Sequence, residues 1–409
     1  TYEFGMDQSI SKQKIWKEFD GSRLVTHVLT FELGTLVSEQ LTWKKVETIN
    51  GVKTIVTYTD TVEFGVFTNR QKIYRMSRED SYETVIENYD PLFSEKDPIS
   101  IQRVYFAFVT ATDGNNRLVK VIDNYEYPVS NGVSLRQYIY FDERKLQDGT
   151  TRVVQVVENI IMLGGLSYVE SVQYIYRKLE NVSTDLNNQD TKTQRVVLVT
   201  ETWEGDFSEG LNSDKSYEGA FLTQIQKSYS IIDNNILKRV TLYFEQGLDL
   251  PISMQASYKQ KETRGERDAL VTVIDYYDYG VNESYAQSKI WRKVIDIDNP
   301  VDGSHQGNRV VTVTEYKEVG QLVYVQYEWK NKETIDARDV AVTYKVIHEG
   351  DLSGNLSGAV KTVQKIWKIK QKVNHPVNGS DLGDKIVTRV ETYEFGYKVS
   401  DVYIWKHRE

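Results

Sequence analysis

The sequence predicts an all-β chain: a tandem array of β-hairpins forming a long antiparallel meander, open or spiralling. Three observations predict it. A short aromatic strand recurs twelve times, a turn signal follows most copies, and a Thr- and Glu-rich strand of fixed length then closes on a glycine. Strand-like alternation, abundant Tyr (28 residues) and only 6 Pro agree with this, and no long segment has helical periodicity.

The aromatic strand is clearest at residues 363–370, VQKIWKIK. Its aromatics are Trp16, Trp43, Tyr74, Tyr105, Tyr140, Tyr176, Tyr229, Tyr258, Trp291, Trp329, Trp367 and Trp405. In ten copies a Gln stands three positions earlier, and in many a basic residue follows directly; Trp291 and Trp405 depart at the Gln place. A residue demanded by repeat geometry appears in all copies, whereas a binding platform is confined to a few. The twelve aromatics therefore read as a structural ladder.

Turn signals come next, among them Asp20-Gly21, Asn50-Gly51, Asp113-Gly114, Asp148-Gly149 and Asn234-Asn235. These residues accept positive φ or bond their own backbone, as a strand reversal requires. The second strand opens with a motif such as RLVT, TIVT or KIVT. Its Val stands nine positions before a Gly in five copies: Val25 and Gly34, Val56 and Gly65, Val271 and Gly280, Val311 and Gly320, Val387 and Gly396. Strand length is held while turns vary. One insertion, near 204–221, reads as a protruding loop, and residues 1–409 read as a single continuous array of about twelve units.

Charge separates the two strand types. Aromatic strands are Lys-rich and the second strands Glu-rich, so antiparallel neighbours place Lys beside Glu and disfavour a slipped register. A six-bladed β-propeller is the competing architecture, but its repeat should be four strands long and this one is two. A membrane β-barrel needs an unbroken apolar band, which Lys365 beside Trp367 interrupts.

The composition sets bounds on function. A net charge of -9 disfavours nucleic acid as a partner, and no apolar run is long enough for a membrane-spanning helix. With 0 Cys there is no thiol catalysis, disulfide or Cys-type metal site. Neither a GxSxG elbow nor a phosphate-cradling Gly loop occurs, and the 5 His are scattered. No catalytic residue or cofactor is expected. Asp296, Asp298 and Asp302 could offer oxygens to Ca²⁺, but their spacing does not match a helix–loop–helix calcium loop, and an ordinary long turn is the competing reading.

Three units resemble the Rhs or YD repeat family. The similar residues are Phe19-Asp20-Gly21-Ser22-Arg23-Leu24, Tyr138-Ile139-Tyr140-Phe141-Asp142 with Leu146, and Asp113-Gly114 with Arg117-Leu118. The resemblance implies a long spiralling sheet, in that family a shell or a cell-surface stalk. In this chain the repeat is longer, and no cleavage or toxin segment follows.

The expectation is thus a non-enzymatic structural protein of the cell surface, a filament, stalk or shell component joined through strand edges. Thr1–Gly5 repeats the wording TYEFG of residues 392–396, so each end carries the same part of the unit. The partner is a second copy, head to tail, or neighbouring repeats of a longer chain. The alternative is a glycan- or protein-binding module of propeller or lectin type, with a surface glycan as its partner.

Overall fold

A computed structural model describes residues 11–404, apart from 79–80, 92–96, 127–131, 164–165, 184–185, 187–191, 206, 208–218, 247–249, 266, 279–283, 336–337, 350–361, 375–380 and 395. Trp405 and Thr1–Gly5 lie outside the described residues, as does most of the insertion.

The first strands are β1 (Ser11–Asp20), β2 (Arg23–Glu32), β3 (Thr35–Ile49), β4 (Val52–Glu63), β5 (Val66–Arg78), β6 (Ser81–Tyr89), β7 (Ser100–Thr110) and β8 (Asn116–Glu126). Then come β9 (Leu135–Lys145), β10 (Thr151–Leu163), β11 (Leu166–Ser183), β12 (Lys192–Gly205), β13 (Ala220–Asp233), β14 (Ile236–Phe244), β15 (Ser253–Arg264) and β16 (Arg267–Asp278). The last are β17 (Ala286–Asp298), β18 (His305–Glu318), β19 (Gln321–Ile335), β20 (Arg338–Glu349), β21 (Thr362–Asn374), β22 (Asp381–Glu394) and β23 (Tyr397–Ile404). Every strand pairs antiparallel with the next, so the 23 strands form one unclosed meander rather than separate propeller blades. Odd-numbered strands carry the repeat aromatics, and even-numbered strands are the Thr- and Glu-rich ones.

The strands pair in the register that charge predicts. Lys72 stands opposite Glu87, Arg103 opposite Asp123, Lys289 opposite Glu315 and Lys365 opposite Glu391. Several reversals at the glycine end place a bulky residue in the left-handed region just before the Gly: Leu33 (φ 50), Phe64 (φ 49) and Val319 (φ 47). Two consecutive positive φ values match the right-handed twist of a hairpin, which explains the Gly that ends these units. Gly205 answers a different need. At the base of the insertion, facing Ala220, an added Cβ would sit 2.5 Å from the Gly219 carbonyl oxygen.

One face of the sheet is buried. On β4 it carries Val56, Tyr58 and Asp60. The Val of the second-strand motif is fully buried in unit after unit, at Val56, Val271, Val311 and Val387. This core face mixes Val, aromatics and carboxylates, so its burial does not show as simple alternation of apolar and polar residues. The opposite, open face keeps the Gln positions and many charges.

The sheet also turns back on itself. Arg292 of β17 pairs with Glu63 of β4 at 2.9 and 3.0 Å, Lys368 of β21 pairs with Glu126 of β8, and β18 touches β5. Each contact links strands thirteen apart. At about 4.8 Å per strand the intervening sheet would span roughly 60 Å if flat. The meander must therefore curve through a full circuit, so that its later strands overlap the earlier ones.

Candidate functional site

Two constructions stand out in the sheet, a polar ladder along the core face and an ionic seam between successive circuits. The ladder starts from the repeat aromatics. Trp43, Tyr74, Tyr105, Tyr140, Tyr176, Tyr229, Trp291, Trp329 and Trp367 are buried, and Tyr258 is half-buried. Trp16, on the first described strand, is 38% exposed and stacks on His27 instead.

A buried phenol needs an acceptor, and the neighbouring strand supplies one. Tyr74 donates to Glu87 (2.8 Å), Tyr105 to Asp123 (3.0 Å), Tyr140 to Glu158 (2.5 Å) and Tyr176 to Glu201 (2.8 Å). Burial, with the carboxylate as second cause, pushes the Tyr74, Tyr105 and Tyr176 phenols up, Tyr105 to about 12. Where the repeat aromatic is Trp43 or Trp329, the phenol comes from across the strand pair. Tyr58 stacks on Trp43 at 5.3 Å and donates to Glu47; Tyr344 stacks on Trp329 at 5.2 Å and donates to Glu333.

The ladder carboxylates also cap turns of the preceding unit. Glu158 accepts the backbone N–H of Thr112 (3.0 Å), and Glu201 accepts that of Gln147 (3.2 Å). Burial pushes both carboxyls up, against these hydrogen bonds. The turn at Asp113-Gly114 is further held by a four-charge cluster. The fully buried Arg144 reaches Asp113 (2.9 Å) and Asp142 (2.5 Å), while Arg117 reaches the same two carboxylates. Asp113, Arg117 and Asp142 are among the residues similar to YD repeats, and here, with Arg144, they tie one hairpin's turn to the next hairpin's strand. Burial raises the Asp142 carboxyl, but hydrogen bonds from Arg117 and Arg144 outweigh it and hold it at about 2.

The Gln positions build a second ladder on the open face. Gln71 donates to Asn88 (3.0 Å), which donates to Ser100 (3.0 Å), and Gln137, Asn159 and Ser171 repeat the chain at 2.9 and 3.0 Å. The recurrent Gln is thereby explained as a cross-strand amide.

In the seam, acidic residues at the glycine end of even strands meet the basic residue that follows a repeat aromatic seven units later. Glu63 faces Arg292, next to Trp291, and Glu126 faces Lys368, next to Trp367. Burial raises the Glu32 carboxyl, opposed by Lys259, next to Tyr258, and by Arg292. So β2, β4 and β8 are coupled to β15, β17 and β21 by one rule. Nothing in the sequence signals a contact between residues 229 apart. The ladder carboxylates did carry a signal, since an acid stands four positions after the motif Val at Asp60, Asp275, Glu315 and Glu391.

The candidate Ca²⁺ turn is occupied by its own side chains. Asp296 and Asp298 both approach His305, whose imidazole they raise, the Asp298 hydrogen bond (3.0 Å) first. Asp302 accepts from the Ser304 amide and hydroxyl (2.9 and 2.6 Å). Among the described residues no group of three or more His, Asp or Glu is placed to hold a metal, and no helix is long and apolar enough to cross a membrane. A shallow groove of about 530 Å³ opens over β11–β14, lined by Arg177, Val196, Leu198, Ser228, Ser230 and Arg239. No known family, curated protein or solved structure matches the chain.

Proposed function

We propose that this is a non-enzymatic structural repeat protein, a surface, stalk or shell component that assembles through its strand edges. The observation that carries the reading is that the repeat's aromatics, carboxylates and Gln residues hold neighbouring strands together along one unclosed sheet. Most described residues of β1 and β23 are exposed. Unpaired main-chain donors and acceptors on a long strand recruit a matching strand from another chain. The edge by β23 belongs to the Lys-rich strand type, whereas Thr1–Gly5 carries the wording of a Glu-rich strand. Head-to-tail pairing therefore joins opposite charges and need not close.

Burial of the repeat aromatics supports the structural reading over a glycan platform. Trp367 is 2% exposed and has no ring face to lay on a sugar. Sedimentation velocity across a concentration series tests the proposal. Growing linear species are expected, and a variant lacking Thr1–Gly5 should stop at short ones. A deletion variant that polymerises as the full chain does would overturn it.

A further inference from the structure

What repeat geometry demands recurs in every unit, so a unit that departs from the others marks a place with another task. The groove over β11–β14 lies at such a departure. In unit after unit the ladder between successive hairpins stops part-way: β4 leaves β5 at Thr57, β12 leaves β13 at Leu198, β14 leaves β15 at Arg239 and β16 leaves β17 at Thr272. Beyond these places each hairpin runs on to its turn without ladder pairing to the next. The residue after the repeat aromatic stands at this parting and is bulky in other units, as at Lys44, Arg75, Phe106, Phe141, Lys259 and Lys368. In β13 it is Ser230, and Ser228, before the aromatic, replaces the Ile of units such as those of Ile73, Ile139 and Ile366. With two small hydroxyl residues there, the parting stays open as the groove of about 530 Å³.

Three arginines border it, Arg177, Arg195 and Arg239, and none has a carboxylate partner among the described residues. The Arg195 Nε–H is buried without an acceptor there, a costly state unless a further group supplies one. Arg239 is itself a departure. It stands opposite Ser230, at a place held by Thr26, Thr57, Thr272, Thr312 and Thr388 in other units. Between Arg177 and Arg239 the open face carries Val196, Leu198 and Thr200 on β12 and Gln226, Ser228 and Ser230 on β13, with no carboxylate among them. In a chain of net charge -9, unpaired guanidiniums over a neutral floor are a selective feature, since each forks onto two oxygens of an anionic group.

We propose that the groove binds an acidic polysaccharide, its charged groups on the arginines and its hydroxyls on the floor. A second departure shows where the chain of sugars continues. At the ladder place held by Thr61, Asn88, Asn124 and Thr392 elsewhere, three successive even strands carry Tyr243, Tyr276 and Tyr316, all half-buried on the open face. Tyr316 meets Tyr276 edge-on at 6.5 Å and stacks on Tyr324 at 5.1 Å. Thr241, Gln255 and Ser257 lie between these phenols and the groove. From β11 to β18 the track measures roughly 34 Å along the sheet, at about 4.8 Å per strand. Hydroxyls and amides spread along it suit a polyol, which presents hydroxyls on every ring, over an acidic peptide, whose Asp and Glu present none. Phenols combine an apolar ring with a polar tip, as a sugar does. The site lies on interior strands and needs no strand edge, so it stands apart from the assembly reading above.

Isothermal titration of the full chain with heparin, polygalacturonate, neutral dextran and poly-L-glutamate tests this. Heparin or polygalacturonate should bind, more weakly as salt rises, while dextran does not and poly-L-glutamate binds at least about tenfold more weakly. Binding of heparin alone assigns the site to sulfate esters and of polygalacturonate alone to carboxylates; either result bears the proposal out. Arg177→Gln with Arg239→Thr should weaken binding at least about tenfold. Ser230→Phe should do the same by filling the groove without changing charge. Lys17→Gln with Lys44→Gln removes as much charge from the open face elsewhere and should leave affinity unchanged. Tyr243→Thr with Tyr276→Thr restores a residue of other units and should weaken binding about threefold. Circular dichroism should show the parent fold in each variant. Failure of both acidic polysaccharides to bind, an affinity untouched by the arginine pair, or an equal loss in the lysine control would overturn the site. Poly-L-glutamate binding as tightly would overturn it in favour of an acidic protein surface, and an affinity unmoved by the tyrosine pair would overturn the extension over the phenols.

Discussion

Trp367 offers the sharpest test of the ladder, because its ring is almost wholly enclosed. It sits at 2% exposure on β21, with the Arg389 guanidinium 5.1 Å from its ring centre. That guanidinium is held in turn by Asp401 at 2.6 and 2.8 Å and lies 5.1 Å from the Tyr403 ring. A buried Trp removes about 150–250 Å² from water, worth roughly 4–6 kcal/mol at 25 cal/mol per Å². Truncation leaves part of that volume empty, so Trp367→Ala should cost about 3–5 kcal/mol. Trp16→Ala, at a half-exposed ring, should cost under about 1 kcal/mol because little packing is lost. A pair of milder changes separates packing from hydrogen bonding. The Trp329 indole N–H donates to the buried Gln306 amide oxygen at 2.8 Å, whereas the Trp367 N–H has no acceptor among the described residues. Trp329→Phe should therefore exceed Trp367→Phe by about 1–3 kcal/mol, the cost of stranding a buried polar group. Urea unfolding followed by far-ultraviolet circular dichroism gives these differences. A midpoint unmoved by Trp367→Ala would refute the ladder as a packing device, and equal losses for the two Phe variants would refute the hydrogen-bond account.

Val319 is a β-branched residue held at φ 47 and 85% exposed, so Val319→Asn should stabilise by about 0.5–1 kcal/mol through relief of left-handed strain; a lowered melting temperature would contradict this. Asp142 has its folded value held at about 2, below the ordinary carboxylate range, so its contribution is present above about pH 4 and lost as pH falls towards 2. Asp142→Asn should accordingly remove about 2 kcal/mol at neutral pH and flatten the acid limb of a stability–pH curve, and an unchanged limb would tell against it.

The repeat's two-strand period was legible because Trp or Tyr, turn and Gly recur in fixed order, and the pairings place Trp43 and Trp329 where that order predicts. The Lys-against-Glu register was legible for the same reason, as Lys365 opposite Glu391 shows. The core face was harder to read. Glu158 and Glu201 are fully buried, and a carboxylate in a strand is ordinarily taken as a solvent residue until a phenol and a backbone N–H are seen to share it. The seam was not legible at all. Curvature is the sum of small twists and bulges over many hairpins, and only that sum brings Glu63 to Arg292.

The offset of thirteen strands follows from the way charge is distributed over the repeat. Even strands carry the acidic ends and most odd strands a basic residue after the aromatic, so an odd offset sets acid on base wherever that basic residue is present. An offset of twelve or fourteen would set an acidic end on another Glu-rich strand, as in Glu63 against β16 or β18. Charge therefore selects among odd circuits, while hairpin geometry selects which odd circuit. Removing the whole hairpin of β13 and β14 separates the two causes, because it keeps the strand types in alternation. If curvature is set within each hairpin, the circuit stays at thirteen strands and Glu63 moves from Arg292 to the next basic place, Lys330 of β19, beside Trp329. If the seam itself sets the curvature, Glu63 keeps Arg292 and the circuit tightens to eleven. With 0 Cys in the chain, thiols placed at 63 and 330, or at 63 and 292, are the only ones present, and a short thiol-reactive linker reports which pair is adjacent. Hairpin twist is a local property of backbone sterics, whereas the Glu63–Arg292 contact is an exposed pair worth at most about 1 kcal/mol. The expected result is linkage of 63 to 330 in the shortened chain and of 63 to 292 in the parent, and retention of the 63–292 linkage after the deletion would show that the seam bends the sheet.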